Sequence, residues 1–170
     1  MEKEPQNQVS HRNPDGSKIG KITQSIVGAS CLVQANCTVH NSTLSGEAQI
    51  RNSAWIEAST MAGRVLIQGH SEIRNSTILD DARISGASYI QGATIKHHAR
   101  VHGSSVYGKV EENAYVDGDS LVDASSIVRG NAYVCNIFLY RCRLEGDVAI
   151  KSVKTSKVRI NHIYWWKNIP

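Results

Sequence analysis

The chain has 170 residues, enough for one domain, with 41% hydrophobic and 20% charged residues, so neither a disordered nor a fibrous chain is expected. Aromatic residues are only 6%, with 13 Gly against 3 Pro, and this mix excludes a two-layer core built on large rings. The net charge of +4 is concentrated at one end: Lys151, Lys154, Lys157, Arg159 and Lys167 occur with no acid among them, which leaves the rest close to neutral.

In chain order, residues 1–18 are polar and aperiodic and predict a flexible arm. They contain no apolar stretch of the kind a secretory signal needs. No run of 18 apolar residues occurs, so no membrane span is predicted. Four cysteines without CxxC spacing fit a reducing, cytoplasmic setting and no cysteine-based zinc site.

From residue 19 a repeat begins. Ile22, Val39, Ile56, Ile73 and Ile90 recur every 17 residues, as do Val27, Leu44, Met61, Ile78 and Ile95, and Val33, Ile50, Ile67, Ile84 and Val101. A small residue stands two positions before most of them: Cys31, Ala48, Ala82 and Ala99 in one series, Ser42, Ser59, Ser76 and Ala93 in another. Residues i and i−2 of a strand share a face, so each unit reads as three short strands, each turning one aliphatic and one small residue inward. Gly and Asn recur between them (Asn52, Gly69, Gly86, Gly103 and Gly118) because they tolerate left-handed backbone. Three strands and three corners make one turn of a triangular solenoid. After Val101 the steps shorten to Val106 and Val110, and the pattern resumes with Val116, Val122 and Ile127, then Val134, Leu139, Leu144 and Ile150. The expected fold is all-β: a parallel β-helix over residues 19–150, of seven to eight coils and ~35–40 Å at ~4.8 Å per stacked strand. Residues 151–170 leave the pattern and read as a basic, aromatic tail. It either caps the last coil or touches nucleic acid by charge and stacking.

Aliphatic residues about six apart behind Ala or Ser, as in Ala82-Arg83-Ile84-Ser85-Gly86, Gly130-Asn131-Ala132-Tyr133-Val134 and Asn113-Ala114-Tyr115-Val116-Asp117-Gly118, resemble the hexapeptide-repeat transferases. The likeness covers about residues 20–150. It implies a left-handed β-helix, a homotrimer with clefts between subunits, and acyl transfer to an acceptor deprotonated by a histidine. The chain departs from that family in its 17-residue turn, in having no long projecting loop and in lacking a helical C-terminus.

Stacking by 17 gives one corner column of Gly46, Gly63, Asp80, His97, Glu112, Arg129 and Gly146, and a neighbouring one of Glu47, Arg64, Asp81, His98, Asn113, Gly130 and Asp147. His97 and His98 are thereby expected over Asp80 and Asp81. A carboxylate beside an imidazole orients it and raises its basicity, as a general base requires; solvated charges on an open corner are the competing account. His97 and His102 with the Gly-Ser-Ser that follows resemble the zinc stretch of γ-class carbonic anhydrases, but no third ligand is evident, so no metal is assigned. The Thr43, Thr60, Thr77 and Thr94 row fits the β-branched preference of strands. Trp55 and Tyr89 are expected to face outward on one side, Tyr115 and Tyr133 on another, as ligand or partner contacts. Cys31, Cys37 and Cys142 read as core thiols and Cys135 as outward.

Two functions follow. One is a trimeric, non-catalytic β-helix that binds a small molecule or protein through Trp55, Tyr89, Tyr115 and Tyr133 and its inter-subunit grooves. The other is an acyltransferase-like enzyme with His97 or His98 as base and Asp80 or Asp81 as its orienting group. No cofactor can be named from the sequence.

Overall fold

Alternation of inward and outward residues over two- to four-residue strands sets the architecture. A computed structural model describes residues 11–152, 158–161, 164 and 165. Three parallel sheets of nine, nine and eight strands form the faces of a triangular solenoid of about eight turns, with no helix among the described residues. None is therefore long and apolar enough to cross a membrane.

The first sheet begins with Lys21–Thr23, Thr38–His40 and Trp55–Glu57, the second with Ile26–Val27, Thr43–Leu44 and Thr60–Gly63, and the third with Leu32–Val33, Gln49–Ile50 and Leu66–Ile67. Register follows the repeat: Val39 pairs with Ile56, Ile56 with Ile73, and Ile73 with Ile90. The core is a single stack of Val, Ile, Leu and Met with Ala, Ser and Cys beside them, most of it fully buried.

The small inward serines of the second sheet are hydrogen-bonding elements as well as spacers. Ser42, Ser59 and Ser76 each donate Oγ–H to the carbonyl two residues back, at 2.6–2.7 Å. Each Oγ then accepts the N–H of the equivalent residue one coil on, Ser59, Ser76 or Ala93, at 3.1 Å. Ser76→Ala is expected to cost about 1–3 kcal/mol, because the buried Ala93 N–H loses its partner. Urea unfolding checks this; a loss below about 0.5 kcal/mol would mean that the N–H finds another acceptor.

Register after Val101 differs from the sequence reading. Val110 pairs with Val128, not Ile127, and Val128 is fully buried while Ile127 is outward and half-buried. The short coil is followed by a long one, and the Asp123–Ser126 turn absorbs the extra residue. Ser126 N–H donates to the Asp123 carbonyl at 3.0 Å, and Ser126 Oγ–H to the Asp123 carboxylate at 2.5 Å. The corner columns therefore continue through Gly130 rather than Arg129 and through Asn131 rather than Gly130. Asn131 N–H donates to Gly146 O, and the Asn131 side chain bridges Asn113 and Asp147. Cys135, expected to face out, is 6% exposed. All four cysteines are buried thiols outside any disulfide.

At the start of the solenoid, Asn13 and His11 are buried against the first strand of the third sheet. The Asn13 amide donates to Val33 O and accepts from Val33 N–H, both at 2.9 Å, as a strand partner would, and His11 Nε2 lies 3.0 Å from Cys31 O. These contacts satisfy an edge that would otherwise be open. Residues 1–10 of the expected arm lie outside the described residues. In the 151–170 segment, Val158–Asn161 extends the first sheet on Ile137–Tyr140, and Tyr164–Trp165 extends the second on Arg143–Leu144.

Candidate functional site

The corner between the second and third sheets carries the largest concentration of candidate groups. From the second coil on its backbone is left-handed, through Gly46, Gly63, Asp80, His97, Glu112, Gly130 and Gly146. Non-glycine residues there are strained, and hydrogen bonds offset the strain. The Asp80 carboxylate accepts the His97 N–H at 3.0 Å, and His97 Nδ1 accepts the Glu112 N–H at 3.2 Å. Asp80 and His97 thus serve the corner's own backbone.

The next residue in each coil points elsewhere. Arg64, Asp81 and His98 stack 17 residues apart on the side of the third sheet. Arg64 donates to both oxygens of Asp81, from Nε at 2.7 Å and Nη2 at 2.9 Å. His98 Nδ1 lies 3.3 Å from Asp81 Oδ2. The Arg64 hydrogen bonds hold the Asp81 carboxyl below its ordinary range, so the group facing His98 is an anion across the whole neutral region. These side chains wall one side of an open cleft of about 530 Å³, whose other side is formed by Leu66, Arg83 and Arg100 on the outer face of the third sheet. With Nδ1 turned to the carboxylate, His98 Nε2 is left for a ligand in the cleft.

Of the four residues read as catalytic candidates, Asp81 and His98 are together at this cleft, whereas Asp80 and His97 are bonded to the corner backbone. The aromatic residues fall into two pairs on two faces. Trp55 and Tyr89 flank Glu72 on the first sheet. Trp55 is 45% exposed and has the Arg74 guanidinium 5.2 Å above its ring. Tyr89 lies 6.0 Å from Tyr107 and donates its hydroxyl to Gln91 Oε1 at 2.5 Å. Tyr115 and Tyr133 are paired on the third sheet with ring centroids 5.4 Å apart. Tyr133 O–H reaches Asp117 Oδ2 at 3.4 Å, and its contact with the Cys135 thiol pushes its pKa well above the usual phenol value. Tyr115 borders a second cleft of about 190 Å³, beside the first.

His102, read with His97 as a possible zinc pair, lies on another column, with Nδ1 2.9 Å from Ser85 Oγ. Among the described residues no three His, Cys, Asp or Glu side chains are gathered as a metal ion would require. Sequence reasoning passed over two features of the cleft: Arg64 as the clamp on Asp81, and the Arg83–Arg100 pair. The 17-residue spacing carried both.

Comparison with known proteins adds one match. Residues 8–90, just under half of the chain, match the family described as GlmU-like, C-terminal hexapeptide. No curated protein matches the chain. The matched stretch includes Asp81 and stops short of His98. The match and the triangular solenoid together fit a hexapeptide-repeat family, with no specific member singled out.

Proposed function

We propose that this chain is a hexapeptide-type acyltransferase-like enzyme that works as a homotrimer, with His98 as the general base. The carrying observation is the Arg64–Asp81–His98 chain at the wall of the cleft. In the step envisaged, His98 Nε2 takes the proton from an acceptor hydroxyl or amine as that atom attacks the carbonyl carbon of an acyl thioester. The carbon–sulfur bond then breaks, and the departing thiolate takes the proton from the imidazolium. Asp81 holds the ring and balances its transient charge, and Arg64 holds Asp81.

A neighbouring subunit would close this open cleft. The face adjoining the corner suits that contact. Over its first four coils the outward residues Ile26, Thr43, Thr60 and Thr77, and the flanking Gly28, Ser45, Ala62 and Leu79, carry no charge; charge enters with Lys96 beside Thr94 and Lys109 above it. Ile26 is 70% exposed. That uncharged stretch can meet copies of itself without like-charge repulsion.

A second reading, ligand binding without chemistry, is favoured by Trp55, an exposed aromatic whose partner Arg74 already stacks on it. Its weakness is that the four candidate aromatics occupy two faces. The test is thiol release from acetyl-coenzyme A by the full chain, against a panel of amines and sugar hydroxyls. Acceptor-dependent release supports the enzyme; the absence of both thiol release and calorimetric binding of the thioester contradicts it.

A further inference from the structure

The central outward column of the third sheet runs Leu66, Arg83, Arg100, Tyr115. Arg83 and Arg100 are directly opposed in register, about 4.8 Å apart at the backbone. Like charges opposed on neighbouring strands are destabilising. Other arginines of the solenoid have partners: Arg64 pairs with Asp81, Arg74 with Glu72 and Arg129 with Glu145, and Arg51 donates to the Gln49 side-chain oxygen. Among the described residues, neither the Arg83 nor the Arg100 guanidinium has an ion-pair or hydrogen-bond partner. The acids lining the first cleft are Glu47 and Asp81; Asp81 has both oxygens engaged by Arg64 and attracts Arg83 only through space.

Both arginines border both clefts, as does Leu66, so the pair, bonded to no carboxylate, is the ridge between two concavities. We propose that Arg83 and Arg100 form an anion subsite that takes the phosphoryl group of a small-molecule ligand. Two guanidiniums one strand apart match a phosphoryl dianion in charge, and each can present two N–H groups to its oxygens. The organic body of the ligand has surfaces to either side: Leu66 before Arg83, and the Tyr115 ring beyond Arg100. The subsite goes beyond acyl transfer and does not depend on it, because it rests on the arginines and not on His98.

Isothermal calorimetry with inorganic pyrophosphate, at fixed ionic strength and on the full chain, tests this. The wild type is expected to bind one pyrophosphate per chain. Arg83→Gln and Arg100→Gln should each weaken binding tenfold or more, and Arg83→Lys by only a few-fold. Without ligand, both glutamine variants should unfold at a temperature no lower than wild type, because the opposed charges are gone; this separates loss of a site from loss of fold. Pyrophosphate binding that survives both glutamine substitutions would overturn the proposal, as would stabilisation that sodium chloride reproduces at the same ionic strength. So would preferential binding of a single-stranded polynucleotide that survives both substitutions. Pyrophosphate binding without thioester turnover would remove the enzyme reading and leave this one intact, and the reverse outcome would do the opposite.

Discussion

Gly63→Val is expected to destabilise the chain by about 4 kcal/mol, the combined cost of a strained backbone and an overpacked corner. Gly63 has φ +98°, and a Cβ there would lie 2.6 Å from the Asp80 carbonyl oxygen and 2.8 Å from Asp80 Cα. Both obstacles are backbone of the next coil and cannot swing aside. Gly92→Val is the control: φ is +61°, but nothing lies within 4 Å of its Cβ position. That variant should pay only the conformational term, about 1–2 kcal/mol. Urea unfolding of the pair separates strain from collision. Equal losses would show that the coils are free to spread at this corner, contrary to the close stacking on which the Asp80–Asp81 placement depends.

The second large effect concerns chemistry. His98→Asn is expected to lower thiol release by about 10²–10⁴-fold, the usual contribution of a positioned base. Asp81→Asn removes the charge that orients the ring and should cost about 10²-fold. His97→Asn should leave turnover within a few-fold, since His97 Nδ1 bonds the Glu112 backbone and faces away from the cleft group. The carboxyl of Asp81 is held below its ordinary range by Arg64. The sign follows: Asp81 is ionised above that lowered value and protonates only well below neutrality, so a fall in rate between pH 8 and 6 does not come from Asp81. Steady-state rates of the three variants on one donor–acceptor pair check all of this. A His97 variant as impaired as the His98 one would contradict the division of roles at the corner.

The solenoid was legible because its inward positions repeat at a fixed interval and hold only aliphatic or small residues. Legibility failed where two β-branched aliphatics stand side by side. Ile127 and Val128 are equally good core residues, and the choice is made by the Asp123–Ser126 turn, a hydrogen-bonded detail that no periodicity carries. The same slip displaced Arg129 and Gly130 by one position in the corner columns. Cys135 was misread because alternation gives the direction of a side chain and not what covers it. At the site, the pairing of histidines with aspartates one coil below was visible from spacing. The separation of Asp80 and His97 from Asp81 and His98 was not. Consecutive residues at a left-handed corner diverge, one toward the backbone ladder and one toward the adjoining face, and either acid–histidine pair satisfies the spacing. The Arg83–Arg100 opposition lay in the sequence at the same interval, but it gains meaning only once the neighbouring acid is seen to be held by Arg64.

The measurement that bears most directly on the proposed site is a high-resolution structure of the assembled oligomer, with its mass in solution measured alongside. The expected result is a threefold assembly joined through the Ile26–Thr77 stretch of the second sheet, with a neighbouring subunit closing the cleft beside Asp81 and His98. A monomer, or an assembly that leaves that corner open and remote from every interface, would contradict it.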